Sequence, residues 1–230
     1  MHRALDVASS LAATLARAAG GLSVGRTGRR PEQPVILYEF ESCPYCRKVR
    51  EALTVLDLEA EIRPCPKGGH RFRDEVIQKG GKAQFPYLVD PNTGKAMYES
   101  DDIVRYLVAE YGDGAVPWNL TGIGPVVTGS LASALRLGMG STAEASNAPA
   151  KRLELWSFEA SPFSRIAREK LCTLELPYLL HNVGKGSASR PALAERAGKV
   201  MVPYLADPNT GVEMFESADI VAYLDETYGA

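Results

Sequence analysis

This chain repeats itself, and the repeat limits its fold more than any other feature. Residues 86–94 read Pro-Tyr-Leu-Val-Asp-Pro-Asn-Thr-Gly, and residues 203–211 read Pro-Tyr-Leu-Ala-Asp-Pro-Asn-Thr-Gly. Downstream, Glu99-Ser100-Asp101-Asp102-Ile103-Val104 returns as Glu216-Ser217-Ala218-Asp219-Ile220-Val221, and both copies close on Tyr-Gly. Upstream, Phe40-Glu41-Ser42-Cys43-Pro44-Tyr45-Cys46-Arg47 returns as Phe158-Glu159-Ala160-Ser161-Pro162-Phe163-Ser164-Arg165. Order and spacing hold within about one residue, so the 230 residues are a duplication. The similarity extends back to Ser10–Leu15, which pairs with Ser130–Leu135.

Each copy reads as one β-α-β-α-β-β-α unit. Val35 to Phe40 is a β-rich run after Pro34. Pro44 suits the first turn of a helix, where its missing N–H costs nothing. Val49, Ala52, Leu53 and Leu56 continue that helix. Strands follow at 58–63 and 85–89, with a helix over 72–79 between them. Pro91-Asn92-Thr93-Gly94 makes a tight turn into a short strand at 95–98. Ser100 is expected to cap a last helix whose first turn carries Asp101 and Asp102. The predicted organisation is an N-terminal helix and linker over 1–33, a first domain over 34–112, a linker with a helix over 113–150 and a second domain over 151–230.

Hydrophobic content of 45% and charged content of 23% are those of a globular chain. A formal charge of −2 points to neither nucleic acid nor an anionic surface. No run of about 20 apolar residues is present, so no transmembrane segment is expected. Residues 1–30 carry five arginines and one acid and are rich in Ala and Ser, as in an organelle transit peptide. Ala4, Ala8, Leu11, Leu15 and Leu22 nevertheless fall at helical spacing. A targeting peptide has no reason to recur mid-chain, so a structural helix is preferred. A cytoplasmic location is expected, with organelle targeting by residues 1–30 left open.

With Cys-Pro-Tyr-Cys after the first strand, Phe85-Pro86 opening the third and Glu99-Ser100 before the last helix, each unit resembles the glutathione S-transferase N-terminal domain. Glutaredoxins share that thioredoxin-like fold and this tetrapeptide. The resemblance covers about two-thirds of the chain. It implies two tandem thioredoxin-like α/β domains without the all-helical transferase C-terminal domain. It also implies a cis bond before Pro86, glutathione as cosubstrate, and glutathione contacts from Tyr45, Phe85, Pro86, Glu99 and Ser100. The second-domain equivalents are Ser161, Val202, Pro203, Glu216 and Ser217. A helix N-terminus with a free hydroxyl agrees physically with a carboxylate site. Glutaredoxins usually carry a lysine before the motif, where this chain has Phe40, so the contacts resemble a transferase's.

Cys43, at a helix N-terminus, is the expected nucleophile, and Cys46 one turn on can resolve a mixed disulfide. A zinc site is not expected, because no second Cys-x-x-Cys or paired His accompanies the motif. Ser161 replaces Cys43 in unit two, which rules out dithiol exchange there. That unit either still binds glutathione or persists for packing. Cys65 and Cys172 read as inert, Cys172 occupying the place of Thr54. Lys67 and Lys185 match one another and read as exposed turn residues. The leading function is a glutathione-linked thiol-disulfide oxidoreductase acting on protein or small-molecule disulfides. The alternatives are a transferase-like enzyme and a non-catalytic glutathione-binding or scaffold module built on the helices at 4–19 and 126–137. A further resemblance, to the membrane-associated prostaglandin E synthase type, rests on the Cys-Pro-aromatic-Cys motif alone. A homodimer is left open.

Overall fold

A computed structural model describes residues 3–230. Helix α1 spans Arg3–Ala16. The first unit follows as β1 (Val35–Glu39), α2 (Pro44–Val55), β2 (Ala60–Pro64), α3 (Arg73–Gly80), β3 (Tyr87–Asp90), β4 (Lys95–Met97) and α4 (Ser100–Tyr111). Helix α5 (Ile123–Leu135) leads into the second unit. That unit is β5 (Leu153–Ser157), α6 (Pro162–Thr173), β6 (Tyr178–Asn182), α7 (Arg190–Ala197), β7 (Tyr204–Asp207), β8 (Val212–Met214) and α8 (Ser217–Tyr228). Both units therefore have the β-α-β-α-β-β-α order of a thioredoxin-like domain. Ser100 differs from expectation in one respect. Glu99 stands at the N-cap with φ 64°, and Ser100 is the first helical residue.

The two sheets are one. Strand order is β4-β3-β1-β2-β6-β5-β7-β8, with β2 and β6 antiparallel at the centre. Ala60 faces Leu180 and Ile62 faces Tyr178 across that joint. The buried side chains of both halves, from Leu37, Leu53 and Leu107 to Leu155, Leu171 and Leu224, form one continuous core.

The repeated Asp-Pro-Asn-Thr-Gly and closing Tyr-Gly now have a physical reason. Asp90 is fully buried, and its Oδ1 accepts from Asn92 N (2.9 Å) and Asn92 Nδ2 (2.8 Å). Its Oδ2 accepts from the hydroxyls of Tyr106 and Tyr111, both at 2.5 Å. Gly94 closes the turn at φ 70°, which a residue without Cβ adopts freely. Asn92 also exchanges two hydrogen bonds with Gln33 and so pins the segment before β1. Asp207 repeats the arrangement with Asn209, Tyr223, Tyr228 and Lys151. Burial pushes the Asp90 carboxyl up, but the bonds from Tyr106, Tyr111 and Asn92 outweigh it and hold the group below its ordinary value.

The helix before each unit packs on the other unit. Helix α1 lies on α6, where Ser10 Oγ donates to Pro162 O (2.6 Å) and Thr14 Oγ1 to Ala160 O (3.0 Å). Helix α5 lies on α2, where Ser133 Oγ donates to Ser42 O (2.5 Å). A Cβ at Gly129 would come within 3.1 Å of Pro44 Cβ, so the small residue permits this close approach. The linkers cross as well. Val24 N donates to Lys185 O and Lys185 N to Leu22 O, while Lys67 N donates to Ser141 O and Ala143 N to Lys67 O. They return through Gly28 N to Tyr111 O and Asn147 N to Tyr228 O. Thr14 thus stands where Ser133 stands, Arg17 where Arg136 stands and Gly21 where Gly140 stands. That register is one residue off the pairing of Ser10 with Ser130.

A buried ion network sits where the units meet. Arg50 Nε lies 2.9 Å from Glu159 Oε2, Arg50 Nη2 lies 3.3 Å from Glu41 Oε2, and Arg50 also pairs with Glu39. Arg168 returns the contact to Glu41 (3.1 Å) and Glu159 (3.0 Å) and meets Ser157 where Arg50 meets Glu39. All five charged side chains are at most 3% exposed, so each depends on its partners. Glu39 titrates up at about 7 because burial outweighs the pull of Arg50. Glu159, despite burial, is held well below the usual carboxylate range by Arg168, Arg50 and Arg47.

Candidate functional site

The tight turn after β1 delivers Cys43 to the N-cap of α2. Its backbone is extended (φ −73°, ψ 121°), Pro44 opens the helix, and Cys43 Sγ accepts from Cys46 N at 3.4 Å. The cap is what a serine or aspartate would provide elsewhere, with sulfur as the acceptor. Both thiols are free and buried. Their acidities diverge. The Cys46 thiol, helped by the backbone N–H groups of Cys46 and Tyr45, lowers Cys43 against the opposing effect of burial. Burial raises Cys46 well above its ordinary value, and its hydrogen bond to Cys43 adds to the rise. The two thiols are thus shifted in opposite directions, Cys43 down and Cys46 up.

Beside this helix end lies a cleft of about 290 Å³, lined by Tyr45, Gln84, Phe85, Pro86, Glu99 and Ser100. Five of the six are residues the sequence pointed to, and they come from three separate elements. Tyr45 reaches it from α2, half-exposed. Phe85–Pro86 is a cis peptide just before β3. The Phe85 ring is held edge-on to Phe40 at 6.2 Å and under the Arg73 guanidinium at 4.8 Å. Phe40, which stands where a glutaredoxin would have lysine, thus supports the cleft wall. Glu99 and Ser100 come from the start of α4. Glu99 sits at positive φ, a conformation that costs a non-glycine residue about 1–3 kcal/mol and recurs where function requires it. The α4 N-terminus has no side-chain cap, and among the described residues the Ser100 hydroxyl has no protein partner. These groups leave an uncapped helix end open to the cleft.

Gln84 was not foreseen. Its Nε2 donates to Glu99 Oε1 at 2.6 Å and steadies the carboxylate at the cleft edge. A lone glutamine in a loop carries no pattern that sequence reading could use.

Unit two reproduces the frame without the sulfur. Ser161 caps α6, and its Oγ accepts from Ser164 N at 3.2 Å. Val202–Pro203 is cis, Glu216 has φ 66°, and Ser217 opens α8. The buried Ser164 hydroxyl has no partner among the described residues. Glu216 lies 3.4 Å from Arg3 of α1, where Glu99 has Gln84.

The remaining cysteines are structural. Burial pushes the Cys65 thiol up, and its Sγ donates to Arg63 O at 3.5 Å. Cys172 accepts from Glu41 N (3.4 Å) and donates to Gly140 O (3.2 Å), mirroring Thr54, which accepts from Glu159 N (3.2 Å). Lys67 and Lys185 are exposed, and their backbones carry the linker bridges. Among the described residues no helix is long and apolar enough to cross a membrane.

The family profile described as "Glutathione S-transferase, N-terminal domain" matches residues 37–115 and again residues 155–230. Among solved structures, the Bombyx mori glutathione transferase BmGSTD1 is 29% identical over 37% of this chain, with a TM-score of 0.33. A second structure of that protein, in complex with GTT, matches with the same identity, coverage and score. This chain spans 39% of the length of each. A comparison with curated proteins found no match. Two matched segments in series, each with the β-α-β-α-β-β-α order, show that the chain belongs to the glutathione S-transferase N-terminal domain family.

Proposed function

We propose that this protein is a glutathione-dependent thiol-disulfide oxidoreductase whose chemistry resides in residues 34–112. The observation that carries the proposal is the divergent thiol pair at the start of α2, beside the cleft between Phe85–Pro86 and the α4 N-terminus. Glutathione is the cosubstrate on this reading. One of its carboxylates meets the Ser100 hydroxyl and the N-terminal amides of α4, where the helix dipole favours an anion. Glu99 accepts its ammonium group. The backbone of Phe85 pairs with its cysteinyl portion, and Tyr45 closes the outer wall.

In the first step the Cys43 thiolate attacks the glutathionyl sulfur of a mixed disulfide. The substrate S–S bond breaks, Cys43 becomes glutathionylated, and the substrate sulfur leaves as a thiolate that takes a proton from water. In the second step the thiolate of a second glutathione attacks the same glutathionyl sulfur. Oxidised glutathione leaves and the Cys43 thiolate returns. Cys46 could displace glutathione instead, forming the Cys43–Cys46 disulfide, but it must first lose a proton that burial holds tightly. The single-cysteine route needs no such proton loss, and Cys46→Ser tests it directly. Residues 151–230 have Ser161 in place of the nucleophilic cysteine and serve as the frame that carries α1 and the second half of the ion network.

The test is turnover of a glutathionylated substrate by wild type, Cys43→Ser and Cys46→Ser, with glutathione and its reductase supplied. Activity in wild type and Cys46→Ser and none in Cys43→Ser supports the reading. Silence in wild type with this substrate and with dithiol-reducible disulfides overturns it.

A further inference from the structure

Helices α1 and α5 both turn large aliphatic side chains outward. The inner face of α1 holds Ser10, Ala13 and Thr14 and that of α5 holds Pro125, Val126, Gly129 and Ala132, while just past the helix ends Arg17 is joined to Glu51 and Arg136 to Glu169. On α1, Leu5, Leu11 and Leu15 are 64%, 48% and 68% exposed. On α5, Ile123, Val127, Leu131 and Leu135 are 73%, 59%, 54% and 39% exposed, and they recur every fourth residue as one stripe. From residue 4 to residue 18 every exposed residue is Ala or Leu, and α5 has no charged residue at all. The usual rule places such a stripe against a core.

The two stripes adjoin. Helices α1 and α5 pack on one another and run antiparallel: Arg136 near the end of α5 meets Asp6 near the start of α1, and Arg17 at the end of α1 meets Thr128. The exposed parts of the seven side chains come to roughly 700 Å², above the largest patch on an ordinary monomer, about 300–600 Å². That is close to the roughly 800 Å² each partner contributes to a standard interface.

We infer that this face is the interface of a homodimer, in which the α1–α5 layer of one copy packs on that of a second copy. Three observations favour a second copy over a lipid surface. The patch has the area and the charge-free centre of a stable protein interface. Large residues alternate with Ala8, Gly124, Ser130 and Ala134 along the two helices, which gives knobs and holes for another helix layer. Among the described residues no lysine or arginine cluster rims the patch to hold lipid headgroups; Arg3 is the exposed base on α1 and is engaged with Glu216. Because α1 and α5 are related by the repeat, the layer is nearly two-fold symmetric, and a self-complementary contact follows naturally.

The experiment is light scattering of the full chain after size exclusion, over a wide range of concentration, for wild type, Leu131→Glu and Leu15→Glu. Wild type should reach twice the chain mass at high concentration, and each substitution should return it to the single mass with unchanged circular dichroism. A wild type that stays at the single mass at every concentration overturns the inference. So does a dimer that survives both substitutions. A wild-type monomer that cosediments with neutral phosphatidylcholine vesicles overturns it too, and assigns the face to lipid. The wild-type mass is read independently of the substitutions, so a misfolded substitution leaves the test standing.

Discussion

Unit one and unit two share an order of elements, and at the N-terminus of the helix after the first strand they differ by sulfur against oxygen. Both have the cis-proline turn, the glutamate at positive φ, the serine opening the last helix and an N-capped helix after the first strand. Sulfur stands at Cys43 and Cys46, and oxygen at Ser161 and Ser164. The cap geometry is nearly the same, 3.4 Å from nitrogen to sulfur in one case and 3.2 Å from nitrogen to oxygen in the other. The cap is thus a structural requirement that either element meets, and nucleophilicity is an addition that only sulfur brings at neutral pH.

The largest expected effect is that Cys43→Ser, which makes unit one resemble unit two, abolishes disulfide turnover while leaving the melting temperature nearly unchanged. The pH dependence sharpens this. The Cys43 thiol is held below its ordinary value, so the reactive thiolate persists to lower pH than in a free cysteine. The rate of iodoacetamide alkylation should rise with pH through a midpoint below about 8.5. A midpoint above that value would remove the case for Cys43 as nucleophile.

The next effect concerns the ion network, where the units differ by Glu39 against Ser157. Arg50→Met leaves Glu39 without its ion-pair partner and takes one of two arginines from Glu41 and Glu159, and should cost about 3–5 kcal/mol in urea denaturation. Arg168→Met leaves Glu41 and Glu159 still paired with Arg50 and should cost less. Glu39 adds a pH signature that Ser157 cannot. Its folded value of about 7 lies above the ordinary 4.5, so the folded state binds the extra proton. Its contribution is complete below about 4.5 and is lost as pH rises through about 7. Glu39→Gln should flatten the fall in stability over that window. An unaltered profile would show that Glu39 does not titrate there.

A smaller and equal effect is expected where the units agree. Asp90→Ala and Asp207→Ala each deprive two tyrosine hydroxyls and an asparagine of their acceptor, at a cost of about 1–3 kcal/mol at neutral pH. Both carboxyls are held below their ordinary value. Their contribution is therefore present above about 3.9 and is lost as pH falls through the lower folded value. The gap between wild type and either substitution should close in acid. Unequal costs would mean that the two turns are not equivalent.

The units were legible because local chemistry repeats. The turn residues, the proline after the capping position and the β-rich run before it each name their own conformation. The cleft was legible by another route, since the resemblance to the glutathione S-transferase N-terminal domain pointed to Tyr45, Phe85, Pro86, Glu99 and Ser100, which line it together. What joins the units was not legible. The exposed edge of β2 and that of β6 read alike whether they meet each other or water. In α1 the spacing of Leu11 and Leu15 correctly marked a helix. The face that packs inward is instead the one with Ser10 and Thr14, because the groups it meets are the open carbonyls of Ala160 and Pro162. Hydrophobic periodicity assumes a greasy partner, and a helix that packs on the turn after the other unit's first strand has a polar one.

The smallest effect separates the two serines. If glutathione binds at the cleft of unit one, Ser100→Ala removes one hydrogen bond to its carboxylate, a loss of about 1–2 kcal/mol or roughly 5- to 30-fold in affinity. The effect should fall on KM for glutathione and leave kcat nearly intact, because the bond forms equally in ground and transition states. Ser217→Ala should leave both unchanged, since the Cys43 reaction takes place on the other unit. A titration by calorimetry then asks whether unit two binds at all. One molecule of glutathione per chain in wild type, reduced to weak binding by Ser100→Ala, would leave unit two without a ligand. Two molecules per chain, with Ser217→Ala removing the second, would mean that Ser161 and its cleft retained the binding site after the sulfur was lost.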